Sequence, residues 1–149
     1  MSSTKCQWRA SSGETVVIAD TSPPTVAEFA DLRAATGFSP RDQATLARSL
    51  ATGRFVTARV ADRLIGTGRC ISDGAMYASI WDLMVHPDWQ RQGLGRRLFE
   101  ELLAPCRDFS LVVLVATAAG APLYQQYGFT PDSRGSRALV LRPGSPAGA

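Results

Sequence analysis

Histidine occurs once in this 149-residue chain and cysteine three times. One histidine makes a His-based zinc site implausible, and Cys6, Cys70 and Cys106 are odd in number and widely spaced. They fit reduced thiols better than a disulfide frame or a metal site. Long apolar runs are also missing. A stretch such as Leu111 to Ala116 is far too short to span a bilayer, and the first dozen residues are polar with no apolar signal core. A membrane role is therefore not expected, and the expected location is the cytoplasm. The net charge is only +3 and there is no basic run of five or more. With the arginines gathered near one turn, nucleic acid is not an expected partner.

The chain is long enough for one domain with a real core. Its most informative stretch runs from Ile80 to Arg97. Residues up to Val85 form a compact apolar run that reads as a buried strand. His86-Pro87-Asp88 breaks the strand, because Pro87 has no N–H to donate. Gly93 and Gly95 follow, and Leu94, Leu98, Phe99 and Leu102 then recur at helical spacing. The free N–H groups of a helix N-terminus, its positive dipole end and Arg91, Arg96 and Arg97 together describe an anion site, with phosphate the best fit. A plain strand-to-helix turn is the alternative. The sequence lacks the Gly-Lys-Ser/Thr of a Walker loop, and Leu98 stands where a dinucleotide fingerprint needs its third glycine.

The rest of the chain supplies strands at Thr15–Ala19, Phe55–Val60, Leu64–Ile71, Tyr77–Val85 and Phe109–Ala116, the last read as buried on both faces. Helices are expected from Val26 towards Gly37, through Leu46 and Leu50 to Gly53, from Gly93 to Pro105, and from Ala119 to Tyr127. Thr21 or Ser22 is expected to cap the first of them. A last pair of strands starts at Phe129-Thr130 and returns over Arg137–Leu141. Residues 1–13 are expected to be a loose arm, 14–142 the domain, and 143–149 a disordered tail.

Gln90-x-x-Gly93-x-Gly95 between strand and helix resembles the acyl-CoA pyrophosphate loop of the GNAT superfamily of N-acetyltransferases. Ala121-x-x-Tyr124-x-x-Tyr127-Gly128-Phe129, about 30 residues later, resembles the late helix of the same superfamily. Ser72-Asp73-Gly74, Ser79-Ile80-Trp81-Asp82 and Pro87-x-x-Gln90 are similar to the plant-plastid and cyanobacterial enzymes described as serotonin (arylalkylamine) N-acetyltransferases. The resemblance implies an α/β (α+β) fold: a mixed, mostly antiparallel sheet of six to seven strands, splayed between the Tyr77–Val85 and Phe109–Ala116 strands and flanked by about four helices.

It also implies acetyl-CoA as co-substrate, with no metal. Leu83, Met84 and Val85 would offer backbone groups to the pantetheine and thioester. Gln90, Arg91, Gln92, Gly93, Leu94, Gly95, Arg96 and Arg97 would hold the pyrophosphate. Thr117 stands where the superfamily often has a CoA-orienting asparagine. Tyr124 matches the usual proton donor to the departing thiolate, with Tyr127, three residues on, the competitor and packing its alternative role. Asp82 is the candidate general base, with a structural aspartate the alternative. Phe38 and Trp81 could form an aromatic wall for a small-molecule amine, with core packing the alternative. A homodimer is a candidate assembly. The expected function is acetyl transfer to a primary amine, favouring a small arylalkylamine. The rivals are a protein lysine or N-terminal acetyltransferase and a non-catalytic acyl-CoA-binding module.

Overall fold

Two glycines on one strand decide where the central helix lies. In the computed structural model, which describes residues 5–20, 22–133, 135–140 and 142–143, that strand is β4, Arg63–Ser72. A Cβ at Gly66 would come within 2.9 Å of Leu98 Cδ1, and one at Gly68 within 2.5 Å of Leu102 Cδ1. Helix α3, Leu94–Leu103, can therefore lie directly on β4, where it buries Leu94, Leu98, Phe99 and Leu102. Burying each such side chain stabilises by about 1.5–3 kcal/mol.

The other face of the sheet packs against α1, Val26–Ala35, and α2, Gln43–Leu50, through a cluster of Phe29, Leu32, Leu46, Leu50, Phe55, Leu64 and Met84. The remaining strands are β1 Lys5–Arg9, β2 Thr15–Ala19, β3 Arg54–Val60, β5 Tyr77–Val85 and β6 Leu111–Leu114. All six strands lie in chain order, antiparallel from β1 to β5, with β6 joining β5 in parallel. Pairing of β5 with β6 ends at Ile80 and Leu114, although β5 continues to Val85. This is the expected splay.

The chain divides into two compact units, Met1–Val115 and Ala116–Ala149. The second contains α4, Ala121–Gln125, and a small hairpin of β7, Asp132–Ser133, with β8, Ser136–Arg137.

Several local expectations change. Residues 5–9, expected within a loose arm, form β1, because their backbone pairs with Thr15–Ala19 in spite of a mostly polar sequence. The Phe109–Ala116 strand shortens to Leu111–Leu114 and is not buried on both faces. It stands at the end of the sheet order, with Leu111 50% and Val113 40% exposed. Phe129-Thr130 is not a strand, and the returning strand is Ser136–Arg137. Residues 1–4, Thr21, Leu141 and 144–149, the last carrying most of the expected tail, lie outside the described residues.

The cap of α1 is Thr25, not Thr21 or Ser22. Thr25 Oγ1 accepts from the Glu28 N–H, and the Glu28 carboxylate accepts from the Thr25 N–H, a reciprocal capping box. The same carboxylate takes Arg59 at 2.6 and 3.0 Å. The Arg59 hydrogen bond, with the Thr25 amide helping, holds Glu28 at about 2 against its ordinary 4.5. A lowered folded-state pKa means a contribution fully present above pH 4.5 and lost as pH falls towards 2. Glu28→Gln should lower stability at pH 7 by about 1 kcal/mol, the size of a solvent-screened ion pair, since glutamine can still close the capping box. Urea unfolding of the two proteins across that acid range should show their difference shrinking as pH falls.

All three cysteines are free. Cys70 and Cys106 are buried with their sulfurs 3.7 Å apart, and burial, reinforced by Cys106, pushes the Cys70 thiol up to about 12. In the folded protein a thiol reagent should therefore label Cys6 rapidly and the other two only on unfolding; rapid labelling of all three would contradict this packing.

Candidate active site

Strand β5 is interrupted at the point where it leaves β6. Thr67 pairs with Met84 and Arg69 with Trp81, so Gly68 alone faces both Asp82 and Leu83. This is a β-bulge. Asp82 adopts φ +54°, a left-handed conformation that costs a non-glycine residue about 1–2 kcal/mol.

Two arginines converge on the Asp82 carboxylate. Arg69 Nη2 lies 2.7 Å from Oδ2 and Arg33 Nη1 3.5 Å from Oδ1, all three side chains being largely buried. Arg69 also donates to the Ser49 carbonyl and hydroxyl at 2.6 and 2.9 Å and stacks over Phe55. Arg33 lies over the rings of Phe29 and Phe38. Asp82, expected as a general base, thus has a cation within ion-pair distance of each oxygen, although its buried Oδ2 accepts no hydrogen bond of good geometry. Sequence reasoning named neither arginine. The available signal was Arg69, a long cation inside an otherwise buried strand.

Phe38 and Trp81, the expected aromatic wall, are 40% and 42% exposed and flank this ion cluster, one through Arg33 and the other as the neighbour of Asp82. Trp81 Nε1 donates to Ser79 Oγ at 2.7 Å. Beyond the bulge, Met84 is buried in the α1–α2 core while Leu83 approaches Gly68 on the α3 face. His86 N–H bonds back to β4 at the Ile65 carbonyl. Val85 turns its carbonyl to the Gln90 side chain, whose Nε2 donates at 2.8 Å. This bond fixes the start of the turn that follows β5.

The turn after β5 is built in three steps. His86 Nδ1 accepts from the Asp88 N–H and starts a single 3-10 turn, Pro87–Trp89, that buries Trp89. Arg91 takes φ +59°, and Gly93 takes φ +90° as the residue before α3. No side chain caps α3. The positive end of the helix dipole therefore lies beside the turn without a side chain to cap it. A Cβ on Gly95 would meet only Val85 Cγ2, at 3.8 Å, so the approach to that helix end is clear. Gln92 is fixed from the β1–β2 turn, where the Ser11 N–H donates to its Oε1 at 3.2 Å. Arg97 pairs along the helix with Glu100, while Arg91 and Arg96 are exposed beside the turn. These residues fit a phosphate-bearing ligand.

In the second unit, Thr117 Oγ1 accepts from the Gly120 N–H at 3.1 Å at the head of α4. Tyr124 is half-buried and meets Phe129 edge-on at 6.4 Å. Burial raises its phenol above the ordinary value of 10, which keeps the proton on. Gly128 takes φ +88° directly before Phe129 and turns the chain there. No cluster of three or more metal-ligating side chains occurs among the described residues, and no helix there is long and apolar enough to cross a membrane.

Known proteins resemble this chain in sequence and in fold. A soybean (Glycine max) protein named histone acetyltransferase TAP1 is 39% identical over 83 residues, 54% of this chain and 36% of its own length. A rice (Oryza sativa subsp. japonica) protein named serotonin N-acetyltransferase 2, chloroplastic, is 30% identical over 112 residues, 70% of this chain and 56% of its own. The chain thus spans about a third to a half of these relatives. A solved Staphylococcus aureus structure, described as a probable acetyltransferase, superimposes with a TM-score of 0.76 at 28% identity, covering 85% of this chain and 98% of its own.

The chloroplastic relative overturns the expectation of a cytoplasmic location. That expectation rested on reduced thiols and the lack of an apolar signal, and neither separates one reducing compartment from another. The model of the acetyltransferase (GNAT) domain matches residues 51–131, from before β3 to beyond α4, and the chain belongs to that family.

Proposed function

We propose that this domain transfers an acetyl group from acetyl-CoA directly to a primary amine, with a small arylalkylamine the favoured acceptor. The observation that carries the reading is the uncapped N-terminus of α3, reached from β5 through the Gln90–Gly95 turn. The CoA pyrophosphate rests on the first N–H groups of α3, with Arg91 and Arg96 adding charge. The thioester lies along β5 beyond the bulge, where N–H groups near Leu83 and Met84 stabilise the tetrahedral oxyanion.

The amine nitrogen attacks the thioester carbon, the carbon–sulfur bond breaks, and Tyr124 protonates the leaving thiolate. The proton lost by the amine goes to water, since Asp82 is occupied by Arg33 and Arg69. Exposed Phe38 and Trp81, and the rice relative's name, support an aromatic acceptor. The soybean relative's name supports a second reading, with a protein lysine as acceptor.

The test is CoA release from acetyl-CoA across tryptamine, serotonin, polyamines, aminoglycosides and lysine peptides. Preference for tryptamines is the expected result. Turnover of peptides alone would replace the arylalkylamine reading, and tight acetyl-CoA binding without turnover on any acceptor would favour a binding module.

A further inference from the structure

We infer that Asp82 is a positioning residue: with Arg33 and Arg69 it forms a clamp that holds the β5 bulge open, and it takes no proton in the reaction. The inference rests on the acetyl-transfer reading for its kinetic consequences but on geometry for its substance. The bulge occurs where pairing with β6 has just ended, and its left-handed residue is one whose conformation must be held from outside. The cations that hold it come from different elements. Arg33 is in the last turn of α1, and Arg69 belongs to β4 and is itself tied to Ser49 at the end of α2.

The clamp therefore ties the bulge to α1, β4 and α2. Without it, the extra residue can be lost from the register, and the β4–β5 pairing seen at Arg69–Trp81 can extend without a break. A one-residue slip would turn Leu83, Met84 and Val85 to opposite faces of the sheet. Met84 would then leave the core, and the backbone groups offered to the thioester would be redirected. Arg33 also fixes Phe38, through the stacking of its guanidinium on that ring at 5.1 Å. One ion cluster thus orders both the thioester strand and one side of the acceptor region.

A general base and a clamp differ in which variants matter. Asp82→Asn, Arg33→Met, Arg69→Met and Arg69→Lys are compared by steady-state kinetics over a pH series, by acetyl-CoA titration and by amide hydrogen exchange at Leu83–Val85. For the clamp, Asp82→Asn and both Met variants should lower kcat/KM for acetyl-CoA by about ten- to a hundredfold, the cost of a small misplacement. Their pH profiles should superimpose on that of the parent, their amides at 83–85 should exchange faster, and Arg69→Lys should recover part of the loss. Loss of an acidic limb in Asp82→Asn, with both arginine variants active and slow to exchange, would overturn the inference. So would unchanged exchange in all four variants. If no acceptor turns over, the acetyl-transfer reading fails, while the exchange rates still decide the clamp.

Discussion

Replacing Gly95 with aspartate should stabilise the fold and at the same time strongly weaken acetyl-CoA binding. Gly95 is the second residue of α3, where an acidic side chain interacts favourably with the helix dipole and aspartate improves on glycine's helix propensity. The new Cβ has room, since its nearest neighbour would be Val85 Cγ2 at 3.8 Å. Together these effects should raise stability by about 0.5–1 kcal/mol. The carboxylate would, however, stand where the pyrophosphate is proposed to rest. Like charges about 4 Å apart near a protein surface repel by about 4 kcal/mol, so affinity should fall by at least about a hundredfold. Thermal unfolding and calorimetric titration read the two effects separately. A more stable variant that still binds acetyl-CoA normally would remove the phosphate from this helix.

Tyr124→Phe should lower turnover by about a hundredfold, the lower end of what a positioned acid contributes, while acetyl-CoA still binds. The ring stays and only the hydroxyl is lost, so the edge-on contact with Phe129 is kept. Because burial raises the phenol above 10, the parent should keep its activity to more alkaline pH than an exposed tyrosine would allow. That alkaline limb should be absent from the residual activity of the variant. Unchanged kcat would reject Tyr124 as the acid and turn attention to Tyr127.

The central strand, turn and helix were legible because three independent signals coincide within twenty residues: an apolar run, a proline break and glycines before a helical period. Leu94, Leu98, Phe99 and Leu102 are all buried, as that period requires. Thr25-x-x-Glu28 was equally readable as a capping box, and preferring Thr21 or Ser22 ignored the glutamate three residues on. Other features had no local signature. Lys5–Arg9 is a strand only because β2 offers its backbone, and Leu111–Leu114 looks the same in sequence whether it is central or at an edge. The Asp82 clamp is the clearest case. Its arginines arrive from α1 and β4, and a bulge depends on the partner strand's register, which no single stretch of sequence contains.

Comparative calorimetric titration with acetyl-CoA and S-acetylpantetheine, which carries the same thioester without the pyrophosphate and the 3′-phosphoadenosine beyond it, tests the central claim most directly when run on the parent and on Gly95→Asp. The substitution should weaken acetyl-CoA binding and leave S-acetylpantetheine binding unchanged. If the end of α3 holds the pyrophosphate, S-acetylpantetheine should bind at least about a hundredfold more weakly, since two or more charge-assisted hydrogen bonds are lost. Equal affinity for the two ligands, or no binding of acetyl-CoA, would contradict the account.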